Sequence, residues 1–508
     1  MFVQSTFLAL LIACFASSTI AQNSSFLFHG ATIIAFNESS NKISVLRNSS
    51  LLVRNDRVAG LFENSVPSDL PKSTEYVDVT GKIISPGFIN THHHLWQTAF
   101  KTLASNTTLA EYVQRYGEFS PAGNTFEPND IYLGQLAGSL ELLHAGTTTV
   151  LDHAHGDFSN DALDAALNAT LDSGIRTFFA PAIHDLSLIN GYSIEDQKAK
   201  LLSLVNDTRL QNNDVVSLGL AYDRFAQASE EEVRSFWGLV RSQNLSVVTA
   251  HYANGPWGID NSPQLLERYG ALNTSTPVVL SHAGFISTID MQLLRETKQY
   301  ISTTPESEFH YGHLHTQVRH IQDQASLGVD THFTFSGDMV GQARLWLQAL
   351  RADSFRLTLE EDLEIPYTNP MSVEQAFLLI TRNGALALRR PDIGIIAVGA
   401  KADLVVFDGS SPNLLGWDDP IAAVILHSNV GDISDVVVNG KFAKRDGKLA
   451  YSGYAAVRQE FLRSAKKIQN AWKKMEFGSL ESNPLGFGIA PYAQPRQIDV
   501  QAGPGTGY

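Results

Sequence analysis

Short apolar runs alternate with amphipathic stretches from residue 83 to residue 330 of the chain. The runs are KIISPGFIN, TTVLDH, GIRTFFAPAI, VVSLGLAY, SVVTAH, PVVLSH, QYISTT and ASLGVD. Their almost continuous apolar character is typical of strands buried on both faces, as in a parallel sheet. The stretches between them, such as SEEEVRSFWGLVRSQN and STIDMQLLRET, begin with Ser and place acidic residues in the first turn, which predicts helices.

Eight strand–helix units in succession predict an α/β fold, a (β/α)8 TIM-like barrel that we assign to residues 86–390. An open doubly wound sheet is the alternative, but no glycine-rich phosphate loop follows any of the strands. In a barrel, the carboxyl ends of all strands open onto one face, where active sites lie. Residues far apart in the sequence can therefore meet there.

The segments that flank the predicted barrel have a different pattern. Residues 22–85 and 391–454 contain short β-rich stretches separated by turn residues, among them FLFHGATII, ADLVVFD and DVVVNGKFAKRDGKLA. Asn439-Gly440 in the last stretch predicts a tight hairpin. Two such flanks predict one small β-sandwich built from both ends of the chain. Residues 455–508 follow as a Lys/Arg-rich amphipathic helix over 455–475 and a Gly- and Pro-rich extended tail.

The first 21 residues are typical of a secretory signal peptide, with an apolar core, then small residues, and cleavage expected after Ala21. A transmembrane anchor is the alternative, but the run is short for the roughly 30 Å of a bilayer core. The only cysteine, Cys14, lies in this segment. Acceptors for N-glycosylation occur at Asn23, Asn37, Asn48, Asn106, Asn168, Asn206, Asn244 and Asn273. We therefore expect a secreted glycoprotein, in the extracellular space or the lumen of the secretory pathway.

The charge of the chain limits its partners. The formal net charge of −15 argues against a nucleic-acid partner, because phosphate binding requires clustered Lys and Arg. Beyond the first residues, no stretch is long and apolar enough to cross a membrane. We expect a small-molecule substrate and leave a homo-oligomer open.

Several of the predicted strands end in an ionisable residue. In a strand, residues two apart point to the same side, so His92 and His94 would face the barrel mouth together while His93 points away. A lone His or Asp at a strand end is more often structural, for example as a helix N-cap. Here the ends of strands one, five, six and eight carry His92, His94, His251, His282 and Asp330. This convergence indicates a metal site.

With these residues in place, the sequence resembles the amidohydrolase superfamily, specifically the branch of cytosine, guanine and 8-oxoguanine deaminases, methylthioadenosine deaminase and triazine hydrolases. The resemblance covers about residues 26–450. Its most specific segments are PGFINTHHHLWQT, AGTTTVLDH, ISTTPESEFHYGH, LGVDTHFTFSGDM and GAKADLVVFD. The first is similar to the HHH-x-x-Q segment of the 8-oxoguanine deaminases, and the last resembles a strand of the urease-like sandwich domain.

The resemblance implies His92, His94 and His251 as metal ligands, with Asp330 as both a ligand and the catalytic proton acceptor. It places His282 as a catalytic residue beside the activated water. The binuclear branches need a carboxylated lysine at the end of strand four, where this chain reads VVSLGLAYDRF without Lys. We therefore expect one divalent metal ion, Zn²⁺, with iron as the alternative that the same ligands would tolerate.

One position departs from the family. Deaminases of this branch continue strand five as His-x-Ala-Glu, and that Glu moves protons to the substrate ring and the leaving amine, whereas this chain carries Asn254. Asn cannot accept and donate a proton in turn, so ordinary aromatic deamination is not available through this position. Glu306 or Glu308 could replace the missing acid if they face the pocket. Capping of the following helix is the simpler interpretation of both.

Further side chains are candidates for the substrate pocket. The resemblance implies that Gln97 binds a heterocyclic edge, and the rest of the expected contact set is Trp96, His153, Asn254 and Glu306. Three more histidines are expected mostly to make hydrogen bonds: His310, His313 and His315. Phe333 and Phe335 could line the pocket or belong to the core.

These features predict a metal-dependent hydrolase that activates a water to cleave a C–N bond, of the aminohydrolase type, in a small cyclic or heterocyclic molecule. A metal-dependent lyase such as a decarboxylase is one alternative, because it needs no shuttling Glu. A metal-binding protein with weakened catalysis is another. The intact set of predicted site residues argues against the last alternative, because lost activity usually frees such residues to change.

Overall fold

Two sheets contain the strands that the protein forms in its described part. A computed structural model describes residues 25–314, 316–480, 488–493 and 495. The predicted signal peptide, the Asn23 acceptor and His315 lie outside the described residues, as does most of the predicted tail. Within those ranges, we find no helix with the length and apolar character needed to cross a membrane.

The strands in chain order are β1 (Ser25–Asn37), β2 (Lys42–Arg54), β3 (Arg57–Phe62), β4 (Glu75–Asp78), β5 (Ile83–Pro86), β6 (Phe88–His93), β7 (Thr147–Ala154), β8 (Arg176–Ile183), β9 (Val216–Leu218), β10 (Leu220–Tyr222), β11 (Val248–Ala253), β12 (Val278–Gly284), β13 (Tyr300–Thr303), β14 (Ala325–Leu327), β15 (Leu404–Phe407), β16 (Ile433–Val438), β17 (Lys441–Arg445) and β18 (Lys448–Leu449).

The α-helices are α1 (Leu109–Arg115), α2 (Ala122–Thr125), α3 (Pro128–His144), α4 (Asn160–Ser173), α5 (Ile194–Val205), α6 (Glu230–Ser242), α7 (Pro263–Arg268), α8 (Thr288–Thr297), α9 (Pro305–Tyr311), α10 (Met339–Arg356), α11 (Val373–Leu379), α12 (Arg382–Ala387), α13 (Pro420–Ala422) and α14 (Tyr454–Trp472). Short 3-10 helices cover Leu95–Phe100, Gly255–Trp257, Thr316–Gln324 and Val430–Asp432.

One sheet curls into a nearly closed parallel barrel. Its strands follow the order β6, β7, β8, β10, β11, β12, β13, β14, and β9 also pairs with β8, so β9 and β10 are two halves of one barrel strand. The backbone N of Asp330 donates to His92 O, and the backbone N of His94 donates to Asp330 O, each at 3.0 Å, which joins the last strand to the first. Gly328 allows this approach, because a Cβ there would lie 2.7 Å from His92 O. The predicted (β/α)8 barrel is confirmed, and all eight apolar runs contribute its strands.

Burial explains why these strands show no alternation in the sequence. Every residue of β7, β8 and β12 is buried, because the barrel interior covers one face and the helices cover the other. Helix α6 shows the complementary pattern. Its N-cap Ser229 accepts a hydrogen bond from the backbone N of Glu232, three glutamates fill its first turn, and only the face that carries Val233, Phe236 and Val240 is buried.

The other sheet combines both ends of the described chain. Its order is β18, β17, β16, β15, β5, β1, β2, β3, and β4 pairs with β1. Strand β15 pairs antiparallel with β5, which joins the late segment to the early one. The predicted hairpin lies between β16 and β17, where Asn439 and Gly440 both adopt positive φ, 49° and 72°. A sheet built from both chain ends is thereby confirmed, and the residue boundaries that we assign to the domains stay predictions.

A buried ion pair fixes the barrel to this sheet. Arg176, at the start of β8, binds Asp403 with two hydrogen bonds of 2.8 and 3.1 Å, and both side chains are 1% exposed. Asp403 also accepts the backbone N of Asn439 at 2.6 Å. On another side of the barrel, α14 packs against α3, and its Trp472 donates to Arg115 O at 2.8 Å. The helix predicted over 455–475 is therefore confirmed as part of the packed structure.

Candidate metal centre and substrate cavity

The end of β6 carries three histidines whose side chains alternate in direction. His92 and His94 turn toward a cluster of possible metal ligands, whereas His93 turns away from it. His93 Nε2 lies 2.8 Å from His332 Nδ1, and its Nδ1 lies 3.0 Å from Asn90 Nδ2. The strand therefore separates two candidate ligands from one structural histidine, as its period of two requires.

Hydrogen bonds fix the orientation of two of the candidate ligand rings. His94 Nδ1 lies 2.8 Å from the carbonyl oxygen of His153, and His251 Nδ1 lies 2.8 Å from Asp223 Oδ2. Because carbonyl and carboxylate oxygens only accept, both Nδ1 atoms carry a proton. In the neutral rings, both Nε2 atoms therefore keep a free lone pair, which is the form that binds metals.

The free ring nitrogens converge on Asp330. The Nε2 atoms of His94 and His251 are 3.3 Å apart, and Asp330 Oδ1 lies 3.1 Å from His94 Nε2. His92 Nε2 lies 3.4 Å from the same oxygen and has no hydrogen-bond partner within the described part of the chain. Ser281 Oγ occupies the other nitrogen of His92 at 2.7 Å. Lone pairs and a carboxylate at this spacing repel one another unless a cation or proton lies between them, so the donor set fits a divalent metal ion.

Asp330 is held between this cluster and α9. Its Oδ2 accepts a hydrogen bond from Ser307 Oγ at 2.5 Å, which leaves Oδ1 for His92 and His94. Although burial opposes ionisation, these two imidazoles keep the pKa of Asp330 well below its usual range. Asp330 and His282 have φ of 69° and 73°, a left-handed conformation that costs non-glycine residues about 1–3 kcal/mol and clusters at functional sites.

Asp223 follows β10 and connects two histidines of the cluster. Its Oδ2 lies 3.2 Å from His153 Nε2, and its Oδ1 accepts the backbone N of His251 at 2.6 Å. Although burial opposes protonation, the carboxylate of Asp223 raises the pKa of His251 to about 9. Burial lowers the pKa of His153 to about 3, so that ring is neutral. Asp223 is thus the electrostatic support of one candidate ligand.

A cavity of about 240 Å³ opens over these groups. Five of the side chains already described form part of its lining: His94, Asp223, His251, His282 and Asp330. Much of the remaining lining is apolar and includes Leu109, Val113, Phe119, Ile183 and Ile259. An apolar cavity with a few convergent polar groups is typical of a small-molecule site.

Two histidines of the cavity were missed in the sequence. His155 Nδ1 accepts a hydrogen bond from Trp96 Nε1 at 3.1 Å, and its ring centroid lies 3.9 Å from that of His94. His184 directly follows β8, and its Nε2 lies 3.2 Å from Asp157 Oδ1. Burial opposes protonation of His184, but the Asp157 carboxylate raises the pKa of His184 above its usual value. The same rule of polar strand ends that selected His251 would have selected His184.

The expected substrate contacts need correction, because five of the predicted side chains do not line this cavity: Trp96, Gln97, His153, Asn254 and Glu306. Gln97 Nε2 donates to Tyr112 OH at 2.9 Å and to Tyr116 O at 3.0 Å, so it supports Tyr112, which does line the cavity. Asn254 Oδ1 accepts the backbone N of Gly255 at 2.9 Å and caps a 3-10 helix.

The two acidic residues at the start of α9 lie in different surroundings. Glu306 Oε2 accepts from Gln342 Nε2 at 2.9 Å, and its backbone N donates to Gln342 Oε1 at 3.0 Å, so the carboxylate turns away from the cavity. Glu308 is 1% exposed, and its Oε1 accepts the backbone N of Thr304 at 2.8 Å. The capping interpretation is confirmed for Glu308, which also lies close to His282, at 3.5 Å.

The remaining aromatic candidates belong mostly to the core. Phe333 is buried among the rings of Phe100, Tyr112 and Tyr116. His313, in contrast, lines the cavity beside His282, with its Nε2 3.4 Å from His282 Nδ1. His315 lies outside the described residues.

A comparison with known families identifies the chain. The model of the amidohydrolase family matches residues 83–443. The protein belongs to the amidohydrolase family. This membership confirms the enzyme class that the sequence predicts, a hydrolase of carbon–nitrogen bonds other than peptide bonds, and amidohydrolases are metal-dependent.

The individual relatives have low sequence identity to this chain. A 5′-deoxyadenosine deaminase of Methanothermobacter thermautotrophicus is 23% identical over 413 residues, which cover 80% of this chain and 91% of the relative. The structure of a zinc-bound adenosine deaminase from Xanthomonas campestris superposes with a TM-score of 0.76 at 18% identity, over 88% of this chain and 99% of that one. A zinc complex of atrazine chlorohydrolase from Arthrobacter aurescens gives a TM-score of 0.74 at 20% identity, over 87% and 100%. At these identities, the two structures support the fold alone.

Proposed function

We propose that this amidohydrolase is a secreted, zinc-dependent aminohydrolase that releases ammonia from a small aromatic heterocycle. The observation that carries the proposal is the convergence of His92, His94, His251 and Asp330, of which the last three line a small, largely apolar cavity. Each ring has one nitrogen fixed by a hydrogen bond and the other directed into the cluster. This is the arrangement that a metal ligand requires.

One divalent ion would be held by these three imidazoles and the Asp330 carboxylate. When bound, Zn²⁺ supplies a Lewis acid that lowers the pKa of water to about 7. No lysine lies among the cavity-lining residues, which favours one ion over a pair bridged by a carboxylated lysine. The nitrogen-rich donor set favours zinc, and iron is the alternative.

The residues of the chain would then divide the proton transfers between them. Asp330 Oδ1 faces the cluster, and its low pKa makes it an ionised acceptor for a proton of the attacking water. His282 lines the cavity, and burial lowers its pKa to about 4, so its neutral ring can donate one N–H to the atom that gains charge. The apolar walls exclude bulk water and strengthen these interactions.

The cavity limits the size and character of the substrate. Its volume of about 240 Å³ is below the range of roughly 300–1,000 Å³ common for ligand sites, which favours a small molecule. Apolar walls suit the faces of a flat ring. The relative from M. thermautotrophicus is named a 5′-deoxyadenosine deaminase and the X. campestris structure an adenosine deaminase, which directs the first tests to aminopurines.

The surface of the protein supports export. All seven glycosylation acceptors within the described residues are exposed: Asn37, Asn48, Asn106, Asn168, Asn206, Asn244 and Asn273. Glycan addition needs accessible acceptors, and their exposure meets this requirement. Together with the signal-like first 21 residues, this pattern favours the secretory pathway.

The test combines metal analysis with a substrate panel. Protein purified without chelators should contain one zinc per chain and release ammonia from at least one aminopurine, pyrimidine, triazine or cyclic amide. His92→Ala should lose both properties, and His320→Ala, a histidine on the surface, should keep both. Protein without stoichiometric transition metal would overturn the proposal, and so would products that have lost carbon dioxide instead of ammonia.

A further inference from the structure

We propose that Glu308 is a positioning residue that supplies, through the Thr304 hydroxyl and His282, the proton that Asn254 cannot deliver. The inference rests on the proposed function, since that proton is required when a C–N bond is cleaved. Glu308 would then supply the proton for one step of the reaction in a chain that has Asn at position 254.

The three side chains form a continuous hydrogen-bonding chain behind the cavity. His282 Nδ1 lies 3.0 Å from Thr304 Oγ1, and Thr304 Oγ1 lies 3.4 Å from Glu308 Oε1. The direct distance from Glu308 Oε1 to His282 Nδ1 is 3.5 Å, which is longer than either separation that involves the hydroxyl. A hydroxyl can accept from one neighbour while it donates to the other, which is what a proton relay needs.

Glu308 has a free oxygen that helix capping does not explain. Its Oε1 accepts the backbone N of Thr304, whereas Oε2 is buried and has no hydrogen-bond partner among the residues that the structure describes. An unpaired buried carboxylate oxygen is costly, because the charge is removed from water without compensation. Protonation of the carboxyl at Oε1, the oxygen that faces Thr304 Oγ1, removes the charge and with it most of this cost.

The surroundings favour the protonated form near neutral pH. Titratable groups face Glu308 from three elements: His282 on β12, His313 after α9 and Asp330 after β14. Burial raises the pKa of Glu308 to about 7, against the opposing effect of His313, and the negative charge of Asp330 adds to the increase. The carboxyl is therefore poised where a general acid is most effective.

The proposed step conserves protons. The leaving nitrogen takes the Nε2 proton of His282 as its bond to carbon breaks. His282 Nδ1 takes the Thr304 hydroxyl proton, and Thr304 takes the proton of Glu308, which becomes a carboxylate. Asp330 then passes the proton that the attacking water has lost to His282 Nε2, and His282 Nδ1 returns its proton through Thr304 to Glu308, which restores the starting state. In total, one O–H bond of water and one C–N bond break, and one C–O bond and one N–H bond form.

The chain offers matched variants to test this relay. Glu308→Gln keeps an oxygen that can accept the Thr304 backbone N, so the helix cap survives while the proton is lost. Glu306→Gln is the control, because it changes the same residue type on the same helix outside the cavity. Thr304→Val removes the bridging hydroxyl at nearly constant shape, and Thr304→Ser retains it.

With the best substrate of the panel, Glu308→Gln and Thr304→Val should each lower kcat about 100-fold, the low end for loss of a general acid. Glu306→Gln and Thr304→Ser should stay within about threefold of the wild type. In the wild type, kcat should fall as the pH rises through the pKa of Glu308, about 7, because the donor must be protonated. This limb should be absent in Glu308→Gln.

An infrared measurement tests Glu308 without any turnover. The carbonyl stretch of a protonated carboxyl should be present at pH 6, disappear with a midpoint near 7, and be absent in Glu308→Gln but not in Glu306→Gln. Wild-type kcat and an unchanged pH profile in Glu308→Gln would overturn the inference. If the panel yields no substrate, the proposed function fails, while the infrared titration still reports whether Glu308 holds a proton.

Discussion

Removal of the Asp223 carboxylate should weaken zinc binding without touching a candidate ligand. Asp223 Oδ2 lies 2.8 Å from His251 Nδ1, and Oδ1 accepts the backbone N of His251 at 2.6 Å. The first contact keeps the proton on Nδ1, so that Nε2 is free for the metal, and the negative charge increases the basicity of the ring. Asp223→Asn removes the negative charge, and Asp223→Ala removes both hydrogen-bond acceptors as well.

The expected loss of zinc affinity follows from the contacts that each variant loses. Loss of a carboxylate partner behind a metal-binding histidine typically weakens metal affinity 10- to 100-fold, or about 1.4–2.8 kcal/mol. Asp223→Ala deletes the acceptors of both N–H groups of His251 and should lie at the upper end. Asp223→Asn keeps one carbonyl oxygen, which can still accept one of these hydrogen bonds, and should lie at the lower end.

The assay is competition for zinc with a chromophoric chelator. Asp185→Asn is the control, because Asp185 is exposed after the neighbouring strand β8 and, among the residues that the structure describes, hydrogen-bonds only to Ser187 in its own turn. The control should bind zinc as the wild type does. If Asp223→Ala binds zinc within twofold of the wild type, His251 is not a metal ligand supported by this carboxylate, and the assignment of the metal centre is wrong.

Four further results are expected. Removal of the metal by a chelator should abolish ammonia release, and one equivalent of Zn²⁺ per chain should restore it; a need for two equivalents would contradict a single-ion site. Asp403→Ala should lower the free energy of unfolding in urea by about 3–5 kcal/mol, because it leaves the Arg176 guanidinium buried without its partner, and a loss below 1 kcal/mol would contradict this. In a Glu308→Gln background, Asn254→Glu should raise kcat at least about tenfold by returning an acid to strand five, and an unchanged kcat would count against that role. Protein secreted by a eukaryotic host should lose mass on enzymatic removal of N-glycans, and Asn37→Gln should remove one glycan, whereas an unchanged mass would exclude the glycoprotein.

The sequence predicts the barrel and the cluster because both depend on local rules. Parallel strands covered on two faces show as apolar runs of a definite length, and the residue after each run lies at the shared rim. The period of two within β6 separates His92 and His94 from His93 without any knowledge of the fold. The rule that selected His251 and His282 also applies to His184, which directly follows the apolar run GIRTFFAPAI.

The substrate contacts are less predictable because loops decide them. Gln97 and Trp96 follow the ligand histidines by only a few residues, yet a 3-10 helix turns both side chains into the interior. Tyr112 reaches the cavity from α1, far from any strand end, and the sequence around it has no period that indicates its role. Glu306 and Glu308 lie two residues apart on one helix and therefore point to different sides, and Gln342 on α10 binds Glu306 away from the cavity.

In a barrel of this kind, a proton-donating residue after one strand can be replaced by a residue that follows another strand. Because the carboxyl ends of all strands surround one cavity, a proton donor lost after β11 can be replaced from the segment after β13. The replacement cannot reach the substrate directly, since Glu308 lies behind His282, so it needs an intermediate that both accepts and donates. Thr304 and His282 meet this need, and the burial that isolates Glu308 from the cavity also keeps its carboxyl protonated near neutral pH. The Glu306 carboxylate instead binds Gln342 and does not line the cavity, so it takes no part in this series of proton transfers.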